Sequence, residues 1–116
     1  MRYDVERHID DPGPLSEAVL LILLSLAARP RHGYSILKDV EGMSDGRVVL
    51  STGTLYAALR RLMAAKWIER FEEEEAVRDR LAYRLTDNGR SQLRGEMRRM
   101  EHLTRLAGLR VVSEGV

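Results

Sequence analysis

Residues 50–68, LSTGTLYAALRRLMAAKWI, decide the fold. Ser51, Thr52 and Thr54 open the run with side-chain oxygens that can accept from the first exposed N–H groups of a helix. Leu55, Leu59, Leu62 and Met63 then recur at i, i+4, i+7 and i+8, an apolar stripe of helical period. Tyr56, Arg60, Arg61 and Lys66 fall outside that stripe or at its edge. A short helix that begins with small hydroxylated residues and carries arginines further along suits a DNA groove. Hydroxyls and amides at its start meet phosphates or base edges, and the basic residues hold the backbone. The same pattern would serve a surface helix of another small domain, so the flanking segments must choose.

Upstream, residues 31–41 read RHGYSILKDVE, with Gly33 near the start and Ile36, Leu37 and Val40 placed for a second short helix under the first. Residues 42–46, GMSDG, are rich in turn formers. Helix, glycine-bearing turn and helix make the arrangement of a helix-turn-helix reader. Downstream, Trp67, Ile68, Glu69, Arg70 and Phe71 form one run of alternating character, and residues 81–85, LAYRL, form a second. Joined by a polar stretch, the two predict a β-hairpin, the wing of a winged helix, with Trp67 as the core anchor at its base.

Three segments together resemble the PadR-type transcriptional regulators: LLILLSLAARPRHGYSI, then LSTGTLYAALRRL, then AYRLTDNGRSQL. The resemblance runs from about Leu20 to Leu103. The family commonly has proline at the positions of Thr52 and Ala57, and its wing often ends in a Gly-Arg/Lys tip. Here residues 72–75 are four glutamates, followed by Arg78 and Arg80. The resemblance implies a mainly α fold with a small β-hairpin, a winged helix-turn-helix plus a C-terminal dimerisation helix. It also implies a homodimeric repressor that binds double-stranded DNA at a palindromic operator. Ser51, Thr52, Gly53, Thr54 and Tyr56 would contact bases and phosphates. Tyr34, Arg60 and Arg61 would anchor the backbone, and Arg78 and Arg80 would reach toward the minor groove.

Composition narrows the classes. The chain has 116 residues, a net charge of +1 and no cysteine, which suits one domain with a modest core. Global charge does little to attract DNA, so charge must be segregated. Residues 51–66 hold Arg60, Arg61 and Lys66 and no acid, a local charge of +3, whereas residues 2–11 sum to −2. Without cysteine there is no disulfide frame or thiol nucleophile, and a cytoplasmic location is expected. The apolar run 18–28 is too short to span a bilayer, so no membrane partner is expected. It predicts a core helix with Ser16 as N-cap and Glu17 in the first turn, ended by Arg29 and Pro30. His8, His32 and His102 lack ligand spacing, and no nucleophile–base set, P-loop or dinucleotide fingerprint is present. No enzyme, metal or cofactor is therefore expected. The other reading is a winged-helix interaction module without DNA binding, favoured by the acidic wing.

Thr86 and Asp87 suit the start of a last helix, expected over residues 87–109. Leu93, Met97, Met100, Leu103 and Ala107 lie on or beside one face, and Leu106 widens it, while Arg90, Arg94, Arg98, Arg99 and Arg105 take the remainder. An apolar face with no following element to cover it predicts a partner helix from a second subunit. Two-fold pairing would match operator half-sites about 34 Å apart. Some members of the resembled family carry ligand pockets at this interface, which implies a small-molecule effector there. The helix itself offers no Trp, Tyr or Phe to stack on one. The expected organisation is a leader at 1–14, a winged helix-turn-helix at 15–86, a dimerisation segment at 87–110 and a tail at 111–116.

Overall fold

The computed structural model describes residues 15–72 and 81–115. The expected leader, and the expected DNA contacts Arg78 and Arg80, lie outside the described residues. Helix α1 (Glu17–Ala28) starts where the Ser16 hydroxyl accepts from the Val19 N–H at 3.2 Å, with Glu17 in the first turn. It buries Val19, Ile22, Leu23 and Leu26. Extended backbone at Arg29 leads into β1 (Arg31–His32) and then α2 (Gly33–Met43).

Helices α2 and α3 (Thr52–Ala64) end in the same way. After α2, the Gly46 N–H reaches the Glu41 carbonyl at 2.8 Å and the Asp45 N–H the Gly42 carbonyl at 3.2 Å. After α3, Trp67 N–H bonds the Leu62 carbonyl and Lys66 N–H the Met63 carbonyl, both at 3.0 Å. Asp45 and Lys66 take left-handed backbone, at φ 52° and 65°. These paired bonds satisfy carbonyls that a helix end would otherwise leave open. Ser44 consolidates the turn between the helices: its buried hydroxyl accepts from the Val48 N–H at 2.9 Å.

Strands β2 (Ile68–Glu72) and β3 (Leu81–Leu85) pair antiparallel as expected, with Ile68 opposite Leu85 and Arg70 opposite Tyr83. The sheet is not a hairpin alone. β1 adds to the free edge of β3, giving the order β1-β3-β2 and placing Arg31 opposite Tyr83. Two residues at the threshold of a helix carry no period of their own, so this strand had no signal in the sequence. Arg31 then turns inward. Its guanidinium donates to the Ser25 carbonyl at 3.1 Å and the Ser35 hydroxyl at 3.4 Å and pairs with Asp39 at 3.3 Å. With a side chain only 12% exposed, it ties α1 to α2.

Helix α4 (Asp87–Gly115) is longer than the sequence pattern indicated and runs through most of the expected tail. Its start is docked onto the turn after α3. The Thr86 hydroxyl accepts from the Gly89 N–H at 2.9 Å and donates to the Lys66 carbonyl at 2.7 Å, while the Thr86 N–H bonds the Trp67 carbonyl. Gly89 has no alternative here, since a Cβ at that position would stand 1.9 Å from the Trp67 carbonyl oxygen. Trp67 packs half-buried against the core, the anchoring role expected of it.

A single core gathers Leu23, Ile36, Leu55, Leu59, Leu62, Ile68, Leu85 and Leu93 from six elements. Each such side chain removed from water contributes about 1.5–3 kcal/mol. Leu93 corrects the sequence reading: it was expected across a subunit boundary, yet it is only 6% exposed and packs inside its own chain. Beyond it the cover ends. Met97, Leu103, Leu106 and Leu109 are exposed, Ala107 likewise, and Met100 is half-buried.

Candidate nucleic-acid interface

The start of α3 is open to solvent. Ser51, Thr52, Gly53 and Thr54 are all exposed, and Leu55 behind them is fully buried, so the core fixes the direction in which the helix presents this end. Ser51 is the N-cap: its Oγ accepts from the Thr54 N–H at 3.1 Å and donates to Thr54 Oγ1 at 3.0 Å. That hydroxyl is therefore committed to holding Thr54 in place. The amides of Thr52 and Gly53, in the first turn, have no carbonyl one turn behind them and face outward with the positive end of the helix dipole. Gly53 meets nothing closer than the Ser51 hydroxyl, 4.0 Å from where its Cβ would lie. The fold thus leaves room for another backbone to approach it.

Further along α3, Arg60 and Arg61 are exposed beside the buried Leu59 and Leu62. On α2, Tyr34 is 70% exposed, and Lys38 lies over its ring at 6.0 Å. This places a second aromatic hydroxyl and a cation on the helix preceding α3. The sequence reading assigned Tyr34 and overlooked Lys38, one turn further along the same helix.

Tyr56 departs from expectation. Helical spacing puts it opposite the core, and its ring is indeed 40% exposed, but the hydroxyl does not project freely from α3. It lies at the first residue of α2, where a Cβ on Gly33 would come within 2.3 Å of it. Glycine at that position creates the slot. The oxygen is near Tyr83 on β3, whose phenol is pushed above its ordinary value chiefly by burial and then by Tyr56. Arg70, opposite Tyr83 across the strand pair, offsets part of that shift. Both Arg70 and Tyr83 went unassigned in the sequence, and only the β2–β3 register brings them together.

On the other face of the hairpin, Arg84 pairs with Glu69 at 2.8 Å and stacks on Phe71 at 4.3 Å. That arginine is already neutralised by its neighbour and serves the sheet. Among the described residues no cluster of His, Asp or Glu could hold a metal ion, and no helix is long and apolar enough to cross a membrane.

The arrangement has counterparts among known proteins. Residues 22–95 match the transcriptional regulator PadR-like family. An uncharacterized 37.1 kDa protein in transposon TN4556 of Streptomyces fradiae is 37% identical over 89 residues. The match takes in 77% of this chain and 24% of that protein, so the chain spans about a quarter of its length. A transcriptional regulator from Clostridium thermocellum has a similar structure at 25% identity and a TM-score of 0.68, covering 93% of this chain and 95% of that one. A PadR family transcriptional regulator from Eggerthella lenta follows at 27% identity and a TM-score of 0.65, covering 80% of each chain. Bacillus subtilis PadR, solved in complex with operator DNA, shares the fold at 20% identity and a TM-score of 0.62, over 72% of this chain and 48% of that one. With its three motifs in order on a winged helix-turn-helix, this chain belongs to the PadR-like family of transcriptional regulators.

Proposed function

We propose that the chain binds double-stranded DNA in a sequence-dependent manner, as a homodimer on a palindromic operator, and represses transcription by occupying a promoter. One observation carries this reading: four consecutive small, exposed residues, three of them hydroxylated, stand at the start of a helix whose opposite face is locked into the core. Such an end can enter the major groove without displacing anything in the fold. Thr52, Gly53 and Thr54 take the base-proximal positions, with Ser51 holding Thr54. Arg60, Arg61, Tyr34 and Lys38 supply phosphate contacts that set the register. The operator DNA in the Bacillus subtilis PadR structure supports the same partner class.

The homodimer rests on α4. Among the described residues from Met97 onward, most of its apolar side chains are exposed, and an exposed stripe of this kind suits a protein interface. One copy also presents too few basic residues near α3 for firm binding, whereas two copies double the phosphate contacts.

Fluorescence anisotropy with labelled promoter-region duplexes, at two salt concentrations, tests the reading. Binding should favour one palindrome and weaken steeply with salt, because each neutralised phosphate releases counterions. Absence of binding to any duplex at low salt would favour the interaction-module reading instead, for which the four glutamates at 72–75 and the low net charge are the support.

A further inference from the structure

We propose that the contact between the Tyr56 phenol and Gly33 is a spacer that sets where the start of α3 stands relative to α2. As positioning residues, the two would govern discrimination between the operator and other DNA. This rests on the DNA-binding reading above and gives Tyr56 a task other than the base and phosphate contact expected from the sequence.

The contact itself supplies the first argument. A Cβ at Gly33 would stand 2.3 Å from the Tyr56 hydroxyl oxygen, 3.0 Å from Cζ and 3.5 Å from Cε1. The nearest atoms run from the tip of the ring inward, so the phenol abuts the first residue of α2 end-on. An aromatic ring is rigid along that axis and cannot shorten. Its length is passed from one helix to the other, and glycine at position 33 lets them stand closer than a side chain there would.

Placement supplies the second. Thr52, Tyr56 and Arg60 follow one another at four-residue intervals and share one face of α3. Thr52 is among the base-proximal residues and Arg60 among the phosphate contacts proposed above. On α2, Gly33 is followed directly by Tyr34 and one turn later by Lys38, both exposed. The spacer therefore joins the helix that holds the DNA backbone to the face that reads the bases.

Leverage supplies the third. At the turn between the two helices, the Ser44 hydroxyl accepts from the Val48 N–H at 2.9 Å. Gly33 stands at the opposite end of α2, which has 11 residues and is about 16 Å long. A stop at the far end of such an arm fixes the crossing of the helices more tightly than one beside the turn. Groups that read bases must be held within about 0.5 Å. Clearing a Cβ at Gly33 to ordinary contact at 3.4 Å would move the hydroxyl by about 1 Å.

The experiment titrates the intact protein with its preferred palindrome and with a scrambled duplex, at two salt concentrations. Gly33→Ala should lower the preference for the palindrome about tenfold, toward the low end of what one good base contact is worth. Its salt slope should match wild type, because no charge has been removed. Tyr56→Phe takes away the oxygen alone and should lower the preference by less. Loss of a phosphate bond at Tyr56 would instead weaken both duplexes alike and spare the preference. In the double variant the Cβ meets only the ring carbon at 3.0 Å, so adding Gly33→Ala to Tyr56→Phe should change the preference little. Gly42→Ala, on the same helix with nothing within 4 Å of its Cβ, controls for helix propensity and should discriminate as wild type does. Thermal unfolding checks that each variant is folded. If Gly33→Ala alone is not, the double variant against Tyr56→Phe still decides. A folded Gly33→Ala with wild-type preference, or a double variant that discriminates much worse than Tyr56→Phe, overturns the spacer and leaves the DNA-binding reading standing. If wild type binds no duplex, both fall.

Discussion

Helices α3 and α4 carry the same kind of apolar stripe and meet opposite fates. On α3, Leu55, Leu59 and Leu62 are buried to within 1% by the rest of the chain. On α4, among the described residues, Leu93 is 6% exposed, and four residues later Met97 is 45% exposed, followed by Leu103 at 47% and Leu106 at 38%. The contrast marks where the cover supplied by the described fold thins out. Spacing alone makes a stripe, but whether its cover comes from the same chain depends on where the neighbouring elements run out.

The largest effect should come from truncation on the covered helix. Leu59→Ala removes a side chain with no exposure and leaves a cavity between α3 and its neighbours. It should cost about 2–5 kcal/mol of unfolding free energy at any protein concentration. Leu106→Ala, on the uncovered stretch, should leave the stability of the isolated fold nearly unchanged and act only through assembly. Chemical denaturation at two protein concentrations reads the difference. Equal, concentration-independent losses would mean that α4 folds back on its own domain.

Assembly itself is the next test. Met97→Glu places a carboxylate on the exposed stripe, and burying it without a partner would cost several kcal/mol. Sedimentation should show a dimer for wild type and a monomer for the variant, with unfolding at low concentration little altered. A variant as dimeric as wild type would move the interface to another surface.

Two glycines on α4 sharpen the boundary with a smaller effect. Gly89 lies against the Trp67 carbonyl, and Gly89→Ala must force the helix start away from its dock, at about 1–3 kcal/mol. Gly108 meets nothing within 4 Å. Gly108→Ala should therefore stabilise the helix by roughly 0.5–1 kcal/mol through better helix propensity. Thermal unfolding measures both. A loss of dimer in Gly108→Ala would reveal that the partner's backbone approaches at that turn.

Much of this was legible in advance, and the gaps have physical causes. Ser16, Ser51 and Thr86 read as N-caps because a hydroxyl before an apolar period has one main use, and all three accept the expected N–H bonds. The strands of the wing showed in their alternation. The strand Arg31–His32 did not, since two residues hold no period. Leu93 and Met97 share one helical face, and nothing in their spacing says that the domain covers the first and not the second. Tyr56 read as projecting because helical geometry sets its direction but not the slot that Gly33 opens for its hydroxyl. Arg70 and Tyr83 stand thirteen residues apart, and only the pairing register brings them opposite each other, which no local pattern announces.

The smallest effect concerns two ion pairs, one between α1 and the turn after α2 and one on α4. Glu17 at the start of α1 pairs with Arg47, thirty residues on, through both carboxylate oxygens at 2.7 and 2.6 Å. Glu96 pairs with Arg99 within α4. In both cases hydrogen bonding to the arginine holds the carboxyl below its ordinary value of 4.5. A carboxyl with a depressed folded value contributes stability that is fully present above its unfolded value and is lost as pH falls through the folded one. The two pairs differ in what they report. Arg47 and Glu17 meet only when the turn after α2 is folded against α1, so Glu17→Gln should flatten the fall in melting temperature below about pH 4.5. Glu96 and Arg99 meet within any helical turn, including one that survives in the unfolded chain, so Glu96→Gln should change that slope less. Melting curves from about pH 7 to about pH 3 compare them. If Glu96→Gln flattens the profile more than Glu17→Gln, that turn of α4 is held by tertiary or subunit contact rather than by its own helix. The boundary between covered and uncovered helix would then lie further along the chain than Leu93.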